Sequence, residues 1–175
     1  VCVNQEVKVH QVKRILDKQE LLLKNEAEMY EYGCTVERVV DGDTIDVILD
    51  LGFDVSFKTR VRLYAIDTPE SRTRNKDEKV RGKLAAAYLQ NAIDTAEQVV
   101  IRTELKDSRG KYGRVLGTVV CDGVDINKAM VDGHYAVAYY GQNKQEVEET
   151  HLLNRAKLIE LGLFTPVEDI SWKKK

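Results

Sequence analysis

The stretch from residue 32 to residue 66 constrains the fold most. Val55, Phe57, Thr59, Val61 and Leu63 alternate with polar partners over nine residues, the period of a half-buried β-strand. Two further apolar runs precede it, one through Cys34, Val36, Val39 and Val40, the other from Ile45 to Leu51. Asp41-Gly42 separates the first pair of runs and Gly52-Phe53-Asp54 the second. Both separators are built from turn-forming residues. Asp67-Thr68-Pro69 stops the third run.

Helix follows strand only after this block. Lys76 to Gln98 reads as a helix, with Leu84, Tyr88 and Ala92 four apart and Leu89 and Ile93 likewise. A fourth strand is expected over 99–105 and a fifth over 114–121, with a polar turn between them. Asp125 is placed to cap a short helix to Asp132 that ends at Gly133. Tyr135 to Tyr140 is a short apolar-aromatic segment. A last helix is expected from Glu146 to Leu161, with Leu152, Ala156 and Ile159 on one face and Gly162 as its stop. Three strands, a long helix, two strands and closing helices do not make alternating strand–helix units. They predict an α+β, mainly β fold: a five-stranded Greek-key barrel of the oligonucleotide/oligosaccharide-binding (OB) type with about three packed helices. The chain then divides into an N-terminal extension over 1–29, a barrel domain over 30–165 and a tail over 166–175.

With 175 residues, the chain is expected to build one domain with a core that needs no staples. No run of 18 apolar residues occurs, so no helical membrane span is expected. Nor does Val1 to Glu20 hold an apolar stretch of signal-peptide length. Cytoplasmic residence is the expectation, with a trimmed leader left open because residue 1 is Val. Three cysteines, Cys2, Cys34 and Cys121, with no close pair, argue against a disulfide framework or a zinc cluster. Net charge is −2, so no whole-molecule basic field exists for nucleic acid. Basic residues nevertheless cluster over 72–83 and over 102–114, which allows a local basic surface or two solvated faces.

Two acidic turns carry the chemistry. Asp41-Gly42-Asp43-Thr44 lies between the first and second strands, and Asp67-Thr68-Pro69-Glu70 follows the third. Each alone reads as turn chemistry. Together, carboxylates at strand ends of one barrel converge into a hard-cation site for calcium or magnesium. An EF-hand does not fit 41–52, since Asp46 stands where a glycine is required and Gly52 where a glutamate is. Arg62 is out of phase with its strand's apolar set and points to the other face. Arg114 opens the fifth strand. Two arginines beside a divalent cation suit a phosphate. Tyr139 and Tyr140 either stack a base or fill the core. His10, His134 and His151 lack metal-ligand spacing and read as surface or helix-packing residues.

In combination these strings resemble the staphylococcal (micrococcal) thermonuclease family: Val39-Val40-Asp41-Gly42-Asp43-Thr44, Arg62-Leu63-Tyr64-Ala65-Ile66-Asp67-Thr68-Pro69-Glu70 and Lys111-Tyr112-Gly113-Arg114, with a softer match over 125–133. The resemblance covers about residues 32–164. It implies calcium held by the Asp43 and Asp67 carboxylates and the Thr68 carbonyl. It implies Glu70 as the group that positions or deprotonates the attacking water. Arg62 and Arg114 would grip the scissile phosphate, and Lys111, Tyr112, Tyr139 and Tyr140 would lie along the nucleic acid. The implied reaction is hydrolysis of DNA and RNA with little sequence preference, leaving 3′-phosphates, by a monomer with no protein partner. The alternative is a barrel that binds nucleic acid without cleaving it. Such a copy should lack some of the acids or arginines, and here Asp43, Arg62, Asp67, Glu70 and Arg114 are all present. The slightly acidic charge, the N-terminal extension and the longer segment at Leu51 to Val55 depart from the familiar secreted members.

Overall fold

The computed structural model describes residues 30–103 and 114–167. In chain order its strands are β1 (Tyr30–Asp41), β2 (Thr44–Asp50), β3 (Ser56–Leu63), β4 (Ile66–Asp67), β5 (Val99–Thr103), β6 (Val115–Cys121), β7 (Val124–Asp125) and β8 (Val137–Ala138). Its helices are α1 (Lys76–Thr95), α2 (Ile126–Asp132) and α3 (Lys144–Glu160). Neighbours in the order β3-β2-β1-β5-β6 pair antiparallel, and β6 returns beside β3 in parallel. Among the described residues the result is a closed five-stranded mixed barrel with three helices around it, as the order of apolar runs predicts. No helix among the described residues is long and apolar enough to cross a membrane.

Closure depends on β1. Register shifts between Val36 and Arg38 and between Val39 and Asp41 bend it. Residues 30–33 pair with β5 while Cys34–Asp41 pair with β2, so one strand joins both sides of the barrel, and the shifts bend its β2-paired part. β1 starts at Tyr30 rather than at Tyr32 because the two extra residues have partners in β5, Tyr30 opposite Thr103 and Glu31 opposite Arg102. Inside, Ile45, Val47, Val61, Leu63, Leu89, Ile101, Val119 and Met130 are each at most 1% exposed and form one core. Outside, charge is laid across the strands in register, with Arg38 and Arg60 both on Asp46 and Lys58 on Glu37.

Two helix boundaries differ from expectation. α1 stops at Thr95 because the Asp122 carboxylate accepts the N–H of Glu97 at 3.1 Å and of Gln98 at 2.8 Å and draws the chain into β5. α3 starts two residues earlier than Glu146, where the Asn143 side chain accepts the Glu146 N–H. A larger correction concerns the face of α3. Leu152 and Ala156 are exposed and Ile159 is only half-buried. The inward stripe is His151, Asn154, Arg155 and Leu158, at the spacing of one helical face. Three of these four are polar, and each finds a partner: Asn154 Nδ2 donates to the Ala136 carbonyl at 2.9 Å, and Arg155 donates twice to Asp77 at 2.8 and 3.1 Å. Arg81, counted with the basic run over 72–83, is likewise buried, with its Nε on Asp77.

α1 lies directly on the loop that follows β4. A Cβ on Gly82 would stand 2.5 Å from the Pro69 carbonyl oxygen and 2.6 Å from the Ser71 nitrogen. Both neighbours are backbone and cannot swing aside. Inside an unconstrained helix, Gly→Ala stabilises by roughly 0.5–1 kcal/mol. Here overpacking outweighs that gain, and Gly82→Ala is expected to destabilise by about 1–3 kcal/mol. Denaturant unfolding of the two proteins decides the sign; a stabilised variant would mean that helix and loop are not in contact.

Candidate active site

The hairpin β1–β2 and the end of β3 build the site. Asp41 pairs with Thr44 and leaves Gly42-Asp43 as a two-residue connection. Thr44 in turn faces Arg62 across the β2–β3 ladder, which sets the Arg62 side chain beside Asp43. A Cβ on Gly42 would meet Ala85 Cβ and Thr68 Oγ1, each at 2.9 Å. The hairpin tip therefore nests against α1 and the loop after β4. The Leu63 N–H donates to the Asp43 carbonyl at 2.8 Å. β4 pairs with β8, placing Asp67 opposite Val137 and Ile66 opposite Ala138. The Tyr139 N–H donates to the Ala65 carbonyl at 2.8 Å. Acids from two turns and tyrosines from a third segment are thus tied together by backbone hydrogen bonds.

Arg62 bridges the acids. Its Nη1 contacts Asp43 Oδ2, and its Nη2 donates to Asp67 Oδ1 at 2.9 Å. Asp43 is 4% exposed, so the carboxylate expected in a surface turn is in fact buried. Burial pushes its pKa above the ordinary value, against the pull of Arg62 and the Thr44 hydroxyl, and the charges of Asp67 and Asp41 add to the push. Asp67 moves the other way. Burial raises it, but the hydrogen bond from His151 and the charge of Arg62 outweigh that and hold it below the ordinary value. Glu70 sits exposed at the rim. Partial desolvation, then the charges of Asp41, Asp43 and Asp67, raise its pKa against the opposing effect of Arg62.

A cavity of about 620 Å³ is bordered by Arg62, Glu70, Arg114, Tyr139 and Tyr140. Tyr139 and Tyr140 are 40% and 75% exposed, so neither fills the core. A second cavity of about 370 Å³ adjoins it on the α3 side, lined by Asp67, Thr68, Glu70 and His151. Glu70 borders both. Thr68 is buried, and its N–H lies 3.4 Å from Asp43 Oδ2. Of the expected site residues, Asp43, Arg62, Asp67, Thr68, Glu70, Arg114, Tyr139 and Tyr140 come together. Lys111 and Tyr112 lie outside the described residues.

Sequence reasoning missed His151. Its Nε2 lies 3.0 Å from Asp67 Oδ2, and its side chain is buried. Apolar periodicity could not find it; the polar residues at 151, 154 and 155 in helical register were the available signal.

Among the described residues, no group of three or more His, Cys, Asp or Glu side chains forms a ready-made metal centre. The donor set still fits a hard cation. Asp43 and Asp67 offer oxygen only, Asp43 is desolvated, and the positive guanidinium of Arg62 stands between them where two carboxylates require a counter-charge.

The family model for staphylococcal nuclease homologues matches residues 60–163, well over half of the chain. The chain belongs to the staphylococcal nuclease family. Endonuclease YhcR of Bacillus subtilis (strain 168) is 35% identical over 118 residues, 63% of this chain and 9% of that protein. Endonuclease YncB of the same organism is 30% identical over 120 residues, 67% of this chain and 54% of that protein. The chain therefore spans less than two thirds of either Bacillus relative. Protein ParB of Escherichia coli is 31% identical over 153 residues, 80% of this chain and 78% of that protein. Asp43 falls upstream of the stretch matched by the family model, yet the β2–β3 register delivers it to Arg62.

Because burial raises the Asp43 pKa, the ionised carboxylate costs the fold stability. That cost is absent at low pH and grows as pH rises past the unfolded-state value near 3.9. Asp43→Asn is therefore expected to raise the melting temperature of the cation-free protein at pH 7. The gain should shrink as pH falls towards 4. Thermal melts in chelator across that range check the sign; a variant less stable than wild type at pH 7 would contradict it.

Proposed function

We propose that the chain is a calcium-dependent nuclease of the thermonuclease type, hydrolysing phosphodiester bonds in DNA and RNA with little sequence preference and leaving 3′-phosphates. The observation that supports this most is the placement of Arg62, Arg114 and Glu70 on one cavity, with the buried Asp43–Arg62–Asp67 bridge at its edge. Two guanidinium groups on one cavity suit a phosphate diester: each carries five N–H donors, so Arg62 keeps donors for a phosphate oxygen beyond the two that bridge Asp43 and Asp67. Asp43, Asp67 and the Thr68 carbonyl would hold the calcium ion. When bound, the ion supplies fixed positive charge against the phosphoryl oxygens.

The residues of the chain do the remaining work. Glu70, at the rim of both cavities, accepts the proton of a water aimed at phosphorus, and the charge that builds on the phosphoryl oxygens is met by Arg62 and Arg114. Arg114 also assists the departing oxygen. Tyr139 and Tyr140 offer exposed ring faces to neighbouring bases. Such a surface reads no base edge, which accounts for low sequence preference. The domain would run over 30–165; its end is supported by Phe164, which is buried and donates its N–H to the Leu158 carbonyl at 3.2 Å.

Variants at two positions test this directly. Glu70→Gln keeps size and hydrogen bonding but cannot take a proton, and it should lower single-turnover cleavage by roughly 10²-fold or more. Arg114→Lys keeps the charge but loses the fork, and it should lower turnover by about 10²-fold. Both should melt within a few degrees of wild type. Cleavage at the wild-type rate by either variant would remove that residue from the chemistry. A wild-type protein that binds single strands without cutting them would favour the binding-module alternative.

A further inference from the structure

The geometry points to His151 as a positioning residue that fixes the orientation of the Asp67 carboxylate, which makes α3 a structural part of the cation site. This rests on the reading of Asp67 as a cation ligand.

Asp67 belongs to a two-residue strand followed by a loop, which leaves its carboxylate little local restraint. Its two oxygens are nevertheless assigned. Oδ1 takes Arg62 Nη2 at 2.9 Å, and Oδ2 lies 3.0 Å from His151 Nε2. Facing an ionised carboxylate, Nε2–H donates. With one donor on each oxygen, the carboxylate cannot turn about its Cβ–Cγ bond without losing both. The same arrangement recurs where outer donors orient metal-ligating side chains, and its loss weakens metal binding about 10–100-fold.

The histidine can impose this orientation only if it is itself held, and its anchors are independent of Asp67. The His151 carbonyl accepts Arg81 Nη1 at 3.5 Å. Arg81 is buried on α1 and its Nε reaches Asp77 at 3.3 Å. Arg155, one turn after His151, grips the same Asp77 with two donors, and its guanidinium lies 5.9 Å from the Phe164 ring centre. On the other side, Asn154 bonds the Ala136 carbonyl, one residue before the strand that pairs with Asp67. The inward stripe of α3 thus reaches both α1 and the segment leading into β8. A buried leucine in place of His151 would pack as well, but it would leave Asp67 Oδ2 without a donor.

Three substitutions separate positioning from packing. His151→Gln places an amide nitrogen near the original Nε2. His151→Asn keeps polarity but withdraws the donor by the length of the ring, and His151→Leu removes it. Each protein is titrated with calcium alone by calorimetry, melted in chelator, and assayed on single-stranded DNA for kcat and KM. The expected result is calcium affinity lowered about 10–100-fold for the Asn and Leu variants, with kcat reduced and KM near wild type, and recovery of most of the affinity in the Gln variant. If the Leu variant does not fold, the Asn–Gln pair carries the same comparison. Wild-type calcium affinity in the Asn variant, with or without a lower melting point, would overturn the inference and leave His151 as a packing residue. A wild-type protein that takes up no calcium would overturn it too, and that blank titration would mark the failure as one of the underlying cation-site reading.

Discussion

The site turns on one guanidinium. Arg62 stands between a buried carboxylate, Asp43, and a half-buried one, Asp67. Bringing two like charges together away from water is unfavourable unless a positive group lies between them. The barrel supplies that group from the face of β3 turned away from its apolar set. The opposite shifts at the two acids follow from the same arrangement. Burial is the largest effect at both acids; at Asp43 it prevails, whereas at Asp67 His151 and Arg62 together outweigh it.

The rest of the molecule serves to hold that bridge in place. The β2–β3 register sets Arg62 beside Asp43, and the β4–β8 pair ties Asp67 to the segment that carries the tyrosines. Gly42 and Gly82 let the hairpin tip and α1 approach the loop at Thr68 to Ser71 more closely than any side chain would permit. α3 adds a polar seam in place of an apolar one. On the outer face of the barrel, Arg38 and Arg60 are engaged with Asp46 and Lys58 with Glu37.

Much of this was legible in the chain. Alternation over 55–63 gave β3 and the phase of Arg62, and turn residues marked the hairpins. The Asp125 cap of α2 is where its spacing puts it. Three things escaped for physical reasons. β4 and β8 are two residues each, too short to carry a period, so the link between Asp67 and the tyrosines was invisible. Asp43 looked like an ordinary turn acid because burial of a turn depends on what packs over it, here Ala85 and Thr68 against Gly42. The face of α3 was misread because its apolar residues, Leu152 and Ala156, face outward while polar His151, Asn154 and Arg155 face in. Hydrophobic periodicity cannot detect an interface made of satisfied polar groups.

On the proposed reading, the Asp43–Arg62–Asp67 arrangement makes a cation-requiring hydrolytic site. The most direct test is cleavage of end-labelled linear DNA and RNA by the purified chain, run with calcium, with magnesium and with excess chelator. Cleavage of both polymers in calcium that ceases in chelator and returns when calcium is restored is the predicted result. Cleavage that continues undiminished in excess chelator would contradict the account.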